Sequence, residues 1–498
     1  MLQTSEVGKI RREVLVEISR LVFAGKLKEE IHTILDTVVT EDGPRYRCCV
    51  HKERAVLRDR INMAISQPIG SRLEEAAENA VNGNFTAMPI INVLPEACDR
   101  CPIDKFLVTE ACRNCIAHNC IASCPKNAIM VVQNRAYIDK SKCVECGLCK
   151  RSCQYGAIIE ISRPCERACE LGAITAGNDR RAVVDYDKCV SCGSCVVACP
   201  FGAICDFSQV GELTLMLKQQ TKPVYAMLAP AYAGQFGVKV KPEQLAAALR
   251  QLGFAEVVEV AYGADVVTNA EAKEFVEAIL NGQDYLTTSC CPAFVKLAKQ
   301  MPEVGKNVST TVSPMVAAGN IIKEQNADAL VAFIGPCVAK KAEASEQRDI
   351  IDFVITFEEL ASIFAGAGIN VAEMTDDEMV GGGSCDGVSF AKAGGVAEAV
   401  RNVLSANYPG MVLKAQRCDG LSNCKSTLAD LARGGLEANF LEGMACPGGC
   451  IGGPGRMIDP RVAAKMVEQR SAQAAIKSAA KNKAALEAAQ KYLVQHDE

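Results

Sequence analysis

Apolar positions divide the chain before any single residue does. Over the first ninety residues they recur every three or four. Val7, Ile10, Val14, Ile18, Leu21 and Val22 follow Ser5, a residue suited to capping, and Val56, Leu57, Ile61, Met63 and Ile65 form a second series. This spacing predicts amphipathic helices in a helical N-terminal extension, residues 1–90. From about residue 222 the pattern changes. Unbroken apolar runs at Pro223–Ala231, Val257–Ala261 and Ala329–Gly335 read as buried strands, and Val238–Leu252 and Ala270–Leu280 read as helices between them. Such alternation predicts an α/β domain with mainly parallel sheets, residues 211–457. The last stretch, 458–498, is rich in Ala, Lys and Gln and poor in turn residues, and reads as a helical tail, packed or solvated. Residues 91–210 follow neither pattern, because cysteine dominates them.

Composition narrows the chemistry. The chain has 498 residues, 49% apolar and 23% charged, enough to bury several cores. A net charge of −5 argues against a nucleic-acid binder held by phosphate contacts. No apolar run is long enough to span a membrane, so no membrane insertion is expected. The opening MLQTSEVGKIRREV has neither a secretory apolar core nor a twin-arginine leader, so the expected location is the cytoplasm. The outlier is 27 cysteines against 4 histidines and no tryptophan. In a long chain with C-x-x-C strings and no export signal, reduced thiols that bind metal are the better reading. Scarce imidazole disfavours haem, copper and mixed zinc sites, leaving all-cysteine zinc or iron–sulfur clusters. Cys48-Cys49, on a charged stretch, reads as a ligand pair, a redox switch or two incidental thiols.

The cysteine block opens with Cys98-x-x-Cys101 and then repeats one ending four times, C-x-x-[GN]-A-I, at Cys124, Cys153, Cys169 and Cys199. Cys143, Cys146 and Cys149 precede Cys153, and Cys189, Cys192 and Cys195 precede Cys199. This is the C-x2-C-x2-C-x3-C run of two-cluster ferredoxins, in which the fourth cysteine ligates the other cluster. Zinc knuckles favour separated pairs instead. Sixteen thiols lie between Cys98 and Cys199, the number that four cubanes need. The swap rule assigns Cys112, Cys115, Cys120 and Cys153 to one cluster, and Cys143, Cys146, Cys149 and Cys124 to its partner. A third takes Cys189, Cys192, Cys195 and Cys169. The fourth takes Cys165, Cys199, Cys98 and Cys101, which rests on arithmetic alone, so three to four accessory 4Fe-4S clusters are expected. Cys205 is left as a buried free thiol, and His118 as a loop residue or a substitute ligand.

Three further motifs stand beyond residue 220: Thr288-Ser289-Cys290-Cys291-Pro292, Pro336-Cys337-Val338-Ala339-Lys340-Lys341-Ala342-Glu343 and Met444-Ala445-Cys446-Pro447-Gly448-Gly449-Cys450. The first two follow strand-like runs, where α/β folds place their sites. In these motifs the chain resembles the iron–iron (FeFe) hydrogenases, over about residues 98–457, and within them the divergent single-chain group B branch. The resemblance implies an α/β catalytic domain of two lobes with mainly parallel sheets, preceded by duplicated ferredoxin-like (α+β) domains and the N-terminal helical segment. It implies an H-cluster, a 4Fe-4S cubane joined to a two-iron subsite bearing CO, CN and azadithiolate, on Cys291, Cys337, Cys446 and Cys450, with Cys450 bridging. Lys340 would bond a cyanide, and Pro230, Ala231, Pro336, Phe390 and Met444 would line the pocket. Cys290, beside a ligand but not needed as one, would take the proton released when H2 is split. Glu274, Ser309 and Glu271, read in that order outward, would continue the relay. Ala278 stands where prototypes carry an exit Arg. Gly335, Ala231, Met315 and Phe294 also depart from the family's usual Met, Ser, Gln and Trp.

The function expected is a hydrogenase passing electrons through its cubanes to ferredoxin or a similar carrier, and dependent on H-cluster maturation proteins. No Rossmann or P-loop fingerprint points to direct nucleotide use. The alternatives are a hydrogen-sensing regulatory protein with slow turnover and a non-catalytic iron–sulfur assembly protein. Cys385, Cys418 and Cys424 fall outside the motifs and read as core thiols or, for the last two, an accessory pair.

Overall fold

The computed structural model describes residues 5–43, 45–101 and 105–492, so the end of the 458–498 tail and the first four residues of the leader reading lie outside it. The apolar runs become strands of two parallel sheets. One has the order Glu256–Glu259, Val224–Leu228, Leu330–Gly335, Phe353–Thr356, with Ala226 opposite both Val257 and Ala332. The other has Leu286–Thr287, Phe440–Met444, Ala415–Asp419. The central strands are buried along nearly their whole length, as parallel sheets covered on both faces require. Two elements differ from their expected bounds. The helix expected over 238–252 begins at Pro242, whose fixed φ and missing N–H suit a first turn. The helix expected from Ala270 begins at Val260 and runs to Leu280. Its first half is buried nearly all round. At Gly263 a Cβ would stand 2.5 Å from the Pro314 carbonyl oxygen, and the polar Asp265, Thr268 and Asn269 are buried as well.

The contacts divide the chain into two units, 1–96 with 189–193 and 205–498, and 97–188 with 194–204. In the larger, the helix Glu6–Ala24 is capped by Ser5 Oγ, which accepts from the Gly8 N–H (3.2 Å), and it stops at Gly25 in the left-handed region. Its buried face, Val14, Ile18, Leu21 and Val22, joins the core that holds the four-stranded sheet. It lies on the helix Phe357–Gly366, where Arg12 pairs with Glu358 at 3.1 Å. The second predicted helix spans Val50–Ala64. The tail packs. Ala463 and Val467 of the helix Pro460–Gln473 enter the same core, and Asn482 donates to the buried Asp265 (2.8 Å).

The smaller unit consists of short antiparallel pairs, Phe106–Val108 with Ile158–Glu160, Ile129–Val132 with Arg135–Ile138 and Ile174–Ala176 with Ala182–Val184. Its repeat has a backbone cause. In each C-x-x-[GN]-A-I the fourth residue closes a turn onto the cysteine carbonyl and is left-handed: Asn127 (φ 48°), Gly156 (62°), Gly172 (63°) and Gly202 (58°). Asn and Gly are the residues that tolerate it. The turn aims the next amide at the thiol, so Ala128, Ala173 and Ala203 donate to Cys124, Cys169 and Cys199 at 3.2–3.3 Å.

Close helix contact makes Gly366 a test of the N-terminal docking, because a Cβ there would stand 2.6 Å from the Val16 carbonyl and the Ser19 side chain. Gly366→Ala is expected to cost about 1–3 kcal/mol in chemical denaturation. Gly382→Ala, with open space around it, should change little.

Candidate active site

Four strands of the larger unit deliver the three motifs and a fourth loop to one place. Leu286–Thr287 leads to Cys290 and Cys291, Leu330–Gly335 to Cys337, Phe440–Met444 to Cys446 and Cys450, and Val224–Leu228 to Pro230 and Ala231. All are C-terminal strand ends, where parallel sheets open a crevice. The crevice is an apolar cavity lined by Pro230, Ala231, Cys290, Cys291, Pro336, Cys337, Lys340, Phe390, Met444 and Cys450, together with Met315 and Phe333. Gly448 and Gly449, both at positive φ, fold the last loop back on itself. A Cβ on Gly449 would meet the Ala393 amide at 2.5 Å. Two departures from the family pattern find an account here. A Cβ at Gly335 would lie 2.7 Å from the Phe333 ring, which fills the wall instead of a side chain at 335. Phe294 is fully buried against Gly443, where a Cβ would come within 2.0 Å of its ring.

The cysteine thiols face one another. Burial raises the Cys337 thiol to about 12, with Cys291 adding to the rise and Lys340 opposing it. Burial likewise raises Cys450 to about 12, with Cys337 and Cys291 adding. Cys446 is raised by burial, then by Cys337, Cys291 and Cys450, and also feels Cys192. Cys291 Sγ accepts from the Ala445 amide (3.4 Å). Four thiols on separate loop positions, dry, with an amide and a cation to offset negative charge, form a donor set that fits a cubane. Among the described residues no three ligating side chains stand close enough to share one metal ion. A cubane, whose corners take one thiolate each, does not need them to.

Lys340 is buried and fully engaged, donating to Glu343 (2.6 Å), Ser313 Oγ (2.9 Å) and the Cys290 carbonyl (3.3 Å). Burial acts to lower its pKa, but Glu343 and the neighbouring thiols more than offset this and it stays charged. Ser313 was not singled out from the sequence, and nothing in its local pattern marks it. Glu442 was also missed, although a carboxylate inside the apolar run FLEGM was a signal. It accepts from the Gly394 (2.6 Å) and Ala397 (2.8 Å) amides at the start of the helix Gly395–Asn407, and burial raises it to about 7.

The relay residues are brought together in a different order from the one expected. Glu271 is fully buried and faces Cys290, whose thiol is raised by burial and then by Glu271. Neither Glu271 carboxyl oxygen has a hydrogen-bond partner within bonding geometry. Burial, then Glu274, raise it to about 8, while the Ser289 amide and Ser309 pull the other way. Ser309 Oγ donates to Glu274 (2.5 Å), and Glu274, half-exposed, also accepts from Thr310 and Thr311. The inner glutamate is therefore Glu271 and the outer one Glu274. Residues one helical turn apart share a face, but the face alone does not say which end is buried. Ala278 lies half-buried beyond them.

In the smaller unit, one cavity is lined by Cys124, Cys143, Cys146 and Cys149. Cys120 senses Cys153 and Cys115, and Cys112 Sγ accepts from the Ala136 amide. Burial raises Cys165 to about 11, with Cys199 and Cys101 adding, and Cys101 senses Cys199 and Cys98. The set reached by arithmetic is thus brought together. Cys195 and Cys169 lie in this unit too. Cys189 and Cys192 lie on the segment 189–193 of the larger unit, where Gly193 packs on Val338 and Pro454. His118 is a loop residue bonded to Asn114 (3.0 Å). Cys205 is buried against the Asn92 carbonyl, and Cys385 meets Ser471 Oγ at 2.8 Å. Cys48 and Cys49 are exposed, with sulfurs 3.7 Å apart.

The raised Glu271 predicts a pH signature. The fold favours its neutral form, so the wild type should lose stability as pH rises from the ordinary 4.5 to about 8 and no further. Glu271→Gln cannot ionise and escapes this loss. Its advantage in melting temperature should widen across that window, and a gap independent of pH would contradict the dry environment.

Comparison with known proteins agrees with this geometry. Residues 222–454 match the family model described as iron only hydrogenase large subunit, C-terminal domain, and residues 136–159 and 182–205 match the 4Fe-4S binding domain. The chain is 33% identical over 380 residues to the periplasmic Fe hydrogenase large subunit of Nitratidesulfovibrio vulgaris, covering 65% of this chain and 87% of that protein. It is 30% identical over 402 residues to iron hydrogenase 1 of Clostridium pasteurianum, covering 69% of each. Cytosolic iron-sulfur assembly component 3 of Bos taurus is more distant, 22% identical over 46% of this chain and 59% of that one. A solved FeFe hydrogenase studied for oxygen inactivation of its H cluster superimposes with a TM-score of 0.49 at 24% identity, over 57% of this chain and 95% of that chain. On the likeness to the Nitratidesulfovibrio vulgaris and Clostridium pasteurianum enzymes and the match to the family model, the chain belongs to the iron-only (FeFe) hydrogenase family and is an oxidoreductase acting on H2.

Proposed function

We propose that the protein interconverts H2 with two protons and two electrons at an H-cluster held by Cys291, Cys337, Cys446 and Cys450. What carries the reading is that Cys290, Cys291, Cys337, Cys450 and Lys340 line one apolar cavity, with Cys446 close to Cys337, Cys291 and Cys450. When bound, the cubane and its two-iron subsite supply the strong-field iron at which H2 is split. The chain's own residues do the rest. Cys450 would be one of the four thiols that hold the group, and Lys340, held by Ser313 and Glu343, would present a fixed cation to an anionic ligand of the subsite. Pro230, Ala231, Pro336, Phe390 and Met444 exclude water. Cys290 takes the proton and exchanges it with Glu271, which is neutral near pH 7 and so can donate as well as accept. Ser309 and Glu274 carry it to the half-exposed end.

Electrons leave through the thiol-rich segment 189–193, where Cys192 neighbours Cys446. They continue through the ferredoxin-like region, 91–210, whose sixteen cysteines suit four 4Fe-4S clusters paired as the swap rule assigns. The carrier is ferredoxin or a similar protein, and maturation proteins supply the subsite. No helix among the described residues is long and apolar enough to cross a membrane, and the cytoplasm is the proposed location. The assembly-protein reading lacks a role for Lys340 and for the apolar cavity.

The test is anaerobic H2-dependent viologen reduction on protein loaded with the subsite. Cys290→Ala should lose activity by about 10²–10⁴-fold while keeping carbonyl and cyanide infrared bands. Those bands with negligible turnover in the wild type would move the reading to a hydrogen sensor. Separately, Cys165→Ser should lower bound iron by about four per chain. Unchanged iron would remove the fourth accessory cluster.

A further inference from the structure

Cys48 and Cys49 are adjacent thiols that the proposed function leaves unused. Both are exposed, and the Cys48 thiol donates to the Cys49 sulfur at 3.7 Å. The chain around them fixes their position. Glu53, 6% exposed, accepts from the Tyr46 (2.6 Å) and Arg47 (3.0 Å) amides and so holds the approach to the pair. The Tyr46 hydroxyl donates to Glu6 of the N-terminal helix (2.9 Å). Cys49 is the N-cap of the helix Val50–Ala64, and its carbonyl accepts from the Glu53 amide (3.2 Å). The dithiol therefore stands on a pinned corner at the surface.

Neither packing nor capping calls for sulfur here. Ser, Thr, Asp or Asn is the usual N-cap, and an exposed thiol fills no core. What a thiol gains at a helix start is reactivity, because the free N–H groups of the first turn favour the thiolate. The Lys52 amide, then Cys48, lower the Cys49 thiol, while the hydrogen bond to Cys49 raises Cys48. One sulfur is thus set to attack, and the other is held back within contact of it. Neither belongs to a cluster string, and among the described residues no third ligating side chain completes a metal site with them.

We infer that Cys48 and Cys49 form a thiol–disulfide exchange site on the N-terminal extension, whose substrate is a disulfide, small or protein-borne. It goes beyond the H2 chemistry and does not depend on it. The Cys49 thiolate attacks one sulfur of the substrate, the substrate's S–S bond breaks, and the leaving thiolate takes up the proton that Cys49 gave to solvent. A mixed disulfide remains on Cys49. Cys48 then loses its proton and attacks the Cys49 sulfur, and the second substrate thiolate leaves and takes that proton. The sum is dithiol plus disulfide giving the Cys48–Cys49 disulfide and two thiols. Closing a bond between sequence neighbours makes a small, strained ring, and strained, exposed disulfides are the readily reduced ones. An excess of thiol therefore runs the same steps backwards, and the site exchanges in both directions.

Trypsin reads the state directly, because Arg47 and Lys52 bracket both cysteines in one peptide, Cys48–Lys52. Cluster-loaded holoprotein is reduced, desalted anaerobically and exposed in separate arms to oxidised glutathione and to oxidised thioredoxin. Each arm is quenched in acid with N-ethylmaleimide, digested and weighed. The expected product is an unlabelled peptide lighter by two hydrogens, which excess reduced glutathione returns to the doubly labelled form. The arm that yields it says whether the substrate is a small or a protein disulfide. Cys48→Ala, lacking the second thiol, should hold a stable glutathione adduct on Cys49. Cys49→Ala should form its adduct on Cys48 about tenfold more slowly at pH 7. Iron content and viologen turnover should be unchanged in both variants. A doubly labelled peptide in both arms, or equal adduct rates in the two variants, overturns the inference and leaves two incidental thiols. Loss of iron from either variant overturns it in favour of a ligand pair.

Discussion

The structure turns on burying a cluster of potential negative charges without water. The four thiols proposed to hold the cubane would have to be thiolates to do so, yet burial opposes their ionisation, and their mutual repulsion adds to the cost. Few things in a protein offset such charge. One is a fixed cation, and Lys340 stands at the cavity with all its donors committed. Another is the backbone amide, supplied where the last loop brings Ala445 onto Cys291. The third is the metal itself, which supplies the largest positive charge once bound. The parallel sheets serve this constraint. They place the thiols on strand ends that converge, while the strands remain buried behind them.

The same constraint sets the character of the proposed proton path. A dry pocket cannot hand protons to water, so the path needs an inner carboxyl that can hold a proton near neutrality. Glu271 meets that condition because it is buried without a bonding partner, which in a structural glutamate would be a defect. Glu274, bonded to Ser309, Thr310 and Thr311, is an ordinary half-exposed acceptor. The difference in environment between two glutamates one turn apart gives the path its inner and outer ends.

Chemistry was more legible in the sequence than geometry. Cysteine spacing identified the ferredoxin-like strings because ligand sets on tight loops leave a local record, and the left-handed Asn127, Gly156, Gly172 and Gly202 explain why the repeat's tail is so regular. The three catalytic motifs were legible for the same reason. Element bounds were not, where burial is nearly complete: the polar Asp265, Thr268 and Asn269 in the first half of Val260–Leu280 are buried, and its first two residues, Val260 and Ala261, were read as the end of the preceding strand. Partners across the fold were also hidden. Ser313 reaches Lys340 from 27 positions away, and Glu442 caps a helix 45 positions back along the chain. No local pattern encodes either contact. The order of the two relay glutamates failed likewise, since it depends on what packs over the helix and not on the helix itself.

Two adjacent lysines show how the pocket is tied to the rest of the larger unit. Lys340 and Lys341 are successive residues of one helix, so their side chains diverge by about 100°. Lys340 faces the cavity. Lys341, 3% exposed, faces the core and donates to Asp206 (2.7 Å), Glu359 (2.9 Å) and the Phe207 carbonyl (2.7 Å). Glu359 in turn completes the capping box of the helix Phe357–Gly366, on which the N-terminal helix lies, and Arg11 of that helix approaches Asp206 at 4.0 Å. A buried cation between two carboxylates contributes little net stability by itself, but removing one partner leaves uncompensated charge in the core. That asymmetry penalises any arrangement in which the helix after Cys337 rotates. Rotation would withdraw Lys341 from its carboxylates at the same moment that it withdrew Lys340 from the cavity. The orientation of the cavity cation is thereby fixed by charges that never touch it, and the N-terminal helix becomes part of what holds the site.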